Sequence, residues 1–350
     1  MTGKNSFVAS GAEKEINKLL GNKDLSFFNS FSSNPDINEV KNGIDEIKKT
    51  EYDLIIAIGG GSTIDIAKAI NALANNIEKP EKYITGETKL TNPGLPLIAI
   101  PLTSGTGSES THFSTIYINK TKHSLSHKEY ILPDYAIVDP ELTESIPKKI
   151  TASTGMDALC QAIESYWSVN STEESLIYAK DSIKLAINNL ENAVNNPKKD
   201  SREKMALAAH LSGKAINISK TTAPHSISYP ITSFFDIPHG HAVSLTIGQI
   251  LEYNYHVSKK DCNDNRGSEF VKNRIDEIIS LLGCKNIVKA KERIKILMKN
   301  IELENKLSFL GIDERGVEKI VEKGFTPERM NNNPRKIHKE NLREILDEIS

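Results

Sequence analysis

Two hydrophobic rhythms divide the chain. Up to about Pro147, short apolar runs alternate with amphipathic stretches. Residues 12–20 and 37–49 carry helical spacing, and 25–31 read as a short strand. Residues 54–58, Leu-Ile-Ile-Ala-Ile, form a continuous apolar run ending in glycines, as a parallel strand buried on both faces should. A helix is expected from 63 to about 75, and further strands at 97–102 and 135–139. This alternation predicts a parallel sheet with helices on both faces. Beyond Lys149 strand signals vanish. Helical periodicity marks 150–167, 172–188, 201–218, 242–256, 270–282, 287–300, 313–322 and 339–349. The reading is therefore an α/β domain over 1–148 and an all-helical domain over 149–350.

Composition narrows the function classes. A net charge of -2 over 350 residues gives no bulk attraction to nucleic acid or an anionic membrane. The first residues, MTGKNSFVASGAEKE, have no apolar segment of signal-peptide type, and no apolar run approaches a membrane span. Cys160, Cys262 and Cys284 have no paired spacing, which points to reduced thiols in a cytoplasmic protein.

The first chemical motif joins the apolar strand to the helix that follows. Gly59-Gly60-Gly61-Ser62 lets a phosphate approach the backbone, with free N–H groups and the helix dipole favouring an anion. The turn is neither the GxGxxG fingerprint nor a P-loop. Its plainer reading is a capping box of Ser62 and Asp65. Asp65 and Lys68 lie just inside that helix and could face a ligand or solvent. A second turn, 101–109, follows another apolar strand and gathers Thr103, Ser104 and Thr106 at the same sheet edge. Ligands of open α/β sheets bind outside the carboxyl ends of the strands, so two such turns favour a nucleotide site.

The second motif lies in residues 221–241, TTAPHSISYPITSFFDIPHGH. His225, His239 and His241 sit there among Pro and Gly, on two neighbouring elements linked by a loop. Metal ligation and ordinary polar helix ends are both compatible with this stretch, because the gap fits no short metal-site spacing. Upstream, Asp157, Gln161 and Glu164 share one face of a single helix. Asp157 could join His225 and His239 as a set suited to Fe(II) or Zn(II), with Gln161 offering a neutral amide oxygen. Cys160 points to a different azimuth and belongs to the core.

Together these residues resemble the iron-dependent (group III) alcohol dehydrogenases. The resemblance covers nearly the whole chain. It rests on Gly59-Gly60-Gly61-Ser62 with Asp65 and Lys68, on 101–109, and on Val138-Asp139-Pro140. It rests also on Gly155-Met156-Asp157-Ala158-Leu159 with Ala162-Ile163-Glu164, on His225, on Pro238-His239-Gly240, and on Glu328-Arg329 to Arg335. It implies a Rossmann-like nucleotide domain, a helical metal domain of the dehydroquinate synthase-like architecture, and a cleft between them. It implies hydride transfer between NAD(P)H and a metal-bound carbonyl or alcohol, in a homodimer. Carried over by position, Asp157, His225 and His239 match metal ligands, with Gln161 at a fourth ligand position. Gly59, Gly60, Gly61, Ser62, Thr103, Ser104, Thr106 and Lys122 match cofactor contacts. Asp65 matches a residue near the nicotinamide ribose. His241 is a candidate proton donor or replacement ligand.

The chain departs from the family in three places. A family ligand histidine is Gln161 here, and another family histidine is Tyr229. The chain also begins where the family's first strand ends, so either it is truncated or the sheet lacks that strand. The position at which an acidic residue favours NAD appears as Gly3, followed by Lys4, which permits NADPH. The segments 161–171 and 224–241 look like the branch that reduces phosphonoacetaldehyde to 2-hydroxyethylphosphonate. Lys220, Ser226, Ser228 and His241 are the phosphonate-binding candidates by proximity in sequence. Other readings are another small-aldehyde or polyol dehydrogenase, a dehydroquinate synthase-like lyase, and a nucleotide-binding protein that has lost its metal.

Overall fold

The computed structural model describes residues 1–119 and 121–350, and contacts divide the chain into two units, Met1–Ile146 and Pro147–Ser350. The first holds α1 (Lys4–Ala9), α2 (Ala12–Leu20), α3 (Ile37–Ile47), β1 (Ile55–Gly59), α4 (Gly61–Ala74) and α5 (Pro80–Ile84). It continues with β2 (Leu97–Pro101), β3 (Phe113–Ile118), β4 (Thr121–Ser126) and β5 (Tyr135–Ala136). Strands β1, β2 and β5 form a parallel sheet in that order, with register running from Ile55 opposite Leu97 to Gly59 opposite Pro101. Ile55, Ala57, Leu97 and Ala99 meet Ile64 and Ala67 of α4. The other side of α4, through Ile66 and Ile70, packs on Val40 and Ile44 of α3. Covered strands need apolar residues at every position, which is why 54–58 reads as a run and not an alternation.

Residues 1–3 lie alongside β1. The Ile58 amide donates to the Met1 carbonyl at 2.9 Å, and Gly3 donates back to Ile58 at 3.0 Å. The buried N-terminal ammonium donates to Ile56 at 2.7 Å, and burial lowers its pKa to about 6.

Two expectations for this unit need correction. Residues 25–31 form no strand; the Phe28 carbonyl accepts one bond from Thr2, and its ring turns inward beside Gly43 and Phe31. The hairpin of β3 and β4 was not expected. Its inward positions include Ser114, whose hydroxyl donates to the Asp65 carbonyl at 2.7 Å, so hydrophobic alternation is weak there. A groove of about 620 Å³ lined by Met1, Phe27, Phe28, Tyr52 and Leu54 opens at the start of β1. That is the sheet edge opposite the glycine turn, the wrong edge for a ligand of this sheet type.

The second unit is helical: α6 (Lys148–Trp167), α7 (Glu173–Asn195), α8 (Lys199–Ser219), α9 (Ala223–Phe235) and α10 (His239–Tyr255). After these come α11 (Ser268–Leu281), α12 (Ile287–Asn300), α13 (Glu314–Lys323), α14 (Pro327–Met330) and α15 (Lys339–Asp347). Helix α6 is its axis. Every residue from Gly155 to Trp167 is buried, among them Met156, Leu159, Ile163 and Trp167 of one large core. A helix buried all round has no wet face on which to place polar groups. Asp157, Gln161 and Glu164 must therefore find partners inside. No described helix is long and apolar enough to cross a membrane.

Candidate functional site

Glu164 organises the site from the end of α6. Its Oε1 accepts from the Thr222 amide at 2.8 Å and from the Thr222 hydroxyl at 3.0 Å. Trp167 Nε1 donates to the same hydroxyl at 2.9 Å. These bonds seat the start of α9 against α6 and give its first amides an acceptor. The sequence reading places His225 and His239 on two loop-linked elements but assigns no helix between 218 and 242. Pro224 instead sits in the first turn, where a missing N–H costs nothing, and Pro230 is accommodated within the helix. Helix α9 stops at Asp236, in the left-handed region at φ 57°.

The imidazole of His225 is clamped between two carboxylates. Its Nδ1 hydrogen-bonds Glu164 Oε2, and its Nε2 lies 3.4 Å from Asp157 Oδ1. Burial disfavours the imidazolium, but the Glu164 and Asp157 charges outweigh it and lift the His225 pKa to about 9. His239 arrives from the first turn of α10, its ring edge-on to His225 with centroids 5.3 Å apart. The approach depends on Gly240. A Cβ at that position would overlap the Ser153 carbonyl and come within 2.8 Å of Asp157 Cβ, so only glycine lets α10 pack so closely on α6.

One ligand atom from each of Asp157, His225 and His239 falls within 4.8 Å of the others. One carboxylate and two imidazoles form a borderline donor set that suits Zn(II) or Fe(II) and leaves coordination positions open. Glu164 supplies the carboxylate that orients a ligating imidazole. The residues present thus fit a divalent metal.

The remaining candidates in this unit are placed differently. Gln161 faces the same side of α6, and its Oε1 accepts from Ser212 of α8 at 3.0 Å. His241 is two residues beyond His239, about 200° around the helix, and lies outside the three-residue cluster. Its Nε2 donates to the Glu304 carbonyl at 2.6 Å, and burial lowers its pKa. That ring nitrogen is committed to the backbone, so the expectation of His241 as proton donor or substitute ligand finds no geometric support. Ser226 donates to Gly324 at 2.6 Å, Ser228 donates to the His225 carbonyl at 2.7 Å, and Lys220 is exposed. Cys160 is core, its thiol pushed up by burial.

In the first unit the two expected turns meet. Gly60, not Ser62, is the N-cap of α4, and no side chain caps the helix. Ser62 instead hydrogen-bonds the Ser33 carbonyl. A Cβ on Gly61 would come within 2.6 Å of the Thr106 side chain, and one on Gly60 within 3.5 Å of Thr103. The glycine turn is therefore packed against the 103–106 loop, with Ser104 buried beside it. Lys122 lies on β4, opposite Tyr117 in the hairpin.

Asp65 works within the protein. Its Oδ1 accepts from Ser108 Oγ at 2.5 Å and its Oδ2 from the Thr115 amide at 3.0 Å. The fully buried Lys68 ties the same loop. Its Nζ donates to the Thr111 carbonyl at 2.8 Å, the Phe113 carbonyl at 3.0 Å and the Ser108 carbonyl. Burial lowers its pKa to about 8, against the pull of Asp65 and Glu109. Sequence reading left both residues facing ligand or solvent; they brace the second turn.

The comparisons with known proteins agree with this architecture. Residues 1–140 match iron-containing alcohol dehydrogenases, and residues 151–350 match the C-terminal part of the Fe-containing alcohol dehydrogenase family. The phosphonoacetaldehyde reductase of Streptomyces viridochromogenes is 32% identical over 317 residues, 87% of this chain and 78% of that protein. The NAD-dependent methanol dehydrogenase of Bacillus methanolicus is 29% identical over 97% of this chain and 88% of its own length. Among solved structures, the sulfoacetaldehyde reductase from Bifidobacterium kashiwanohense in complex with NAD+ superposes with a TM-score of 0.89 at 32% identity. It covers 100% of this chain and 90% of that one. The chain belongs to the iron-containing alcohol dehydrogenase family, a family of metal-dependent oxidoreductases.

Proposed function

We propose that this protein is an NAD(P)H-linked aldehyde reductase that reduces phosphonoacetaldehyde to 2-hydroxyethylphosphonate. The convergence of Asp157, His225 and His239 on one point carries the reading. These three residues would hold a divalent ion, Fe(II) or Zn(II), and Gln161 stands beside them with its oxygen on Ser212. When bound, the metal supplies Lewis acidity to a carbonyl oxygen and the reduced nicotinamide supplies the hydride. The likeness to a phosphonoacetaldehyde reductase supports the substrate, and the NAD+ complex of the sulfoacetaldehyde reductase supports the cofactor class.

The chain's own groups do the positioning. Glu164 keeps the Nδ1 proton of His225 and so turns Nε2 toward Asp157. Gly59 to Ser62 offers backbone N–H groups to the cofactor phosphates, with Thr103, Ser104 and Thr106 alongside. Asp65 shapes this turn through Ser108 and Thr115. With Gly3 in place of an acidic residue and Lys4 exposed next to it, a ribose 2′-phosphate would meet no repulsion and a nearby cation, which permits NADPH. A homodimer is part of the same reading.

A screen of phosphonoacetaldehyde, sulfoacetaldehyde, propanal and 3-hydroxypropanal with NADH and with NADPH tests the proposal. Metal content is measured on the same samples. The expected result is net cofactor oxidation, fastest with phosphonoacetaldehyde and lost on chelation. Full activity in protein with no metal by elemental analysis would overturn the metal reading. Nucleotide binding without turnover of any aldehyde would overturn the reductase.

A further inference from the structure

The carboxylate–imidazole cluster has a cationic neighbour. Tyr229 lies one turn beyond His225 on α9, and its ring stacks on His239, with centroids 6.3 Å apart and planes inclined by 28°. The Tyr229 hydroxyl accepts from Arg329 Nε at 3.3 Å, across a hundred residues of sequence. Arg329, on α14, is half-buried. Burial disfavours its charge, yet Tyr229, Glu328 and Glu164 hold the guanidinium protonated.

Only the Nε edge of this guanidinium is used. Among the described residues its terminal nitrogens have no hydrogen bond or ion pair. They are not among the fully buried polar atoms left without partners, so they are not sealed from solvent. Elsewhere in the same unit arginines are consumed structurally: Arg335 binds Asp261 and the Tyr253 carbonyl, and Arg266 binds Asp264 and the 168–171 turn. A guanidinium fork held at a fixed angle matches the spacing of two oxygens on a tetrahedral oxyanion.

We propose that Arg329 binds the anionic end of the substrate, a phosphonate or sulfonate, with Tyr229 fixing the fork at the border of the Asp157, His225 and His239 cluster. The carbonyl end of a short aldehyde then faces the cluster while its charged end meets Arg329 across the Tyr229 ring. This assigns the selectivity to a residue far in sequence from the proximal candidates, of which Ser226, Ser228 and His241 bond to backbone carbonyls and Lys220 is exposed. The inference rests on the aldehyde-reductase reading.

The test compares Arg329→Met, Arg329→Lys and Tyr229→Phe with the wild type. KM and kcat are measured on phosphonoacetaldehyde, sulfoacetaldehyde and uncharged propanal. Arg329→Met should raise KM for the anionic aldehydes by about 100-fold, as expected for loss of a charge partner. Propanal kinetics should stay within about twofold, since no charge is read there. Arg329→Lys should recover part of the loss, because a point charge replaces the fork. Tyr229→Phe keeps the ring stack and should give a smaller loss confined to the anionic aldehydes. The ratio of effects on the two anions identifies which headgroup the site prefers.

Calorimetric titration of the metal-loaded protein with methylphosphonate and methanesulfonate reads anion binding without turnover. It therefore separates failure of the anion site from failure of the reductase reading. Binding by the wild type that disappears in Arg329→Met supports the site even where no aldehyde is reduced. Binding that survives in Arg329→Met, no binding by the wild type, or an equal loss on propanal would each overturn it.

Discussion

The Nδ1–H of His225 is held by the Oε2 of Glu164, a carboxylate with no exposure to solvent. The same side chain caps α9 through Thr222, so one buried carboxylate sets both where the helix starts and which nitrogen of its histidine faces Asp157. Glu164→Gln keeps the shape and removes the charge. Metal affinity should fall about 10–100-fold, the usual consequence of losing a partner behind a ligating imidazole. Competition with a chromogenic chelator measures it. Unchanged affinity would mean that His225 is oriented by packing alone.

Protons and metal compete for His225. Its folded pKa of about 9 stands above the ordinary 6.5. In the metal-free protein, that raised value contributes stability fully present below about pH 6.5 and lost as pH rises through about 9. The metal requires the neutral ring. Loading at pH 7 should thus release a proton, and apparent affinity should climb with pH and level off near 9. Calorimetry in buffers of different ionisation enthalpy counts the released protons. A pH-independent affinity with no proton release contradicts the expectation.

Gly240 sets the distance between α10 and α6. Gly240→Ala places a methyl against the Ser153 carbonyl and Asp157 Cβ. Overpacking of this kind costs about 1–3 kcal/mol, and it displaces His239 from its partners. Denaturant unfolding should detect the destabilisation, and metal analysis should show a loss out of proportion to the fraction unfolded. A variant of wild-type stability and metal content would show that the helices can slide apart freely.

Gly61 plays the corresponding part in the nucleotide turn. Gly61→Val drives branched methyls into Thr106. KM for the nicotinamide cofactor should rise by an order of magnitude or more, since backbone approach to phosphate is blocked. Metal content, which depends on the other unit, should be unchanged. Cofactor titration by fluorescence, run beside metal analysis, separates the two effects.

Much of this was legible in the chain because the relevant residues are locally spaced. Asp157, Gln161 and Glu164 share one face of a single helix at helical intervals, and the glycine turn ends an apolar run. The structure adds what spacing cannot carry. Helix α9 was hidden by Pro224 and Pro230, which usually interrupt helices. The β3–β4 hairpin was hidden by Ser114, a polar residue at an inward position whose hydroxyl serves α4. The role proposed for Arg329 was hidden because its partner Tyr229 is remote in sequence, and the pairing follows from the packing of α14 on α9. His241 misled for the opposite reason: nearness to His239 in sequence places it on another side of the helix.

Lys68 offers an internal witness to the condition of the first unit. Its amine is wholly enclosed by the oxygens of Ser108, Thr111 and Phe113. Acylating reagents that mark the surface lysines of the native protein should pass it by. The moment at which Lys68 becomes labelled, during heating or in denaturant, therefore dates the opening of the loop that faces the glycine turn.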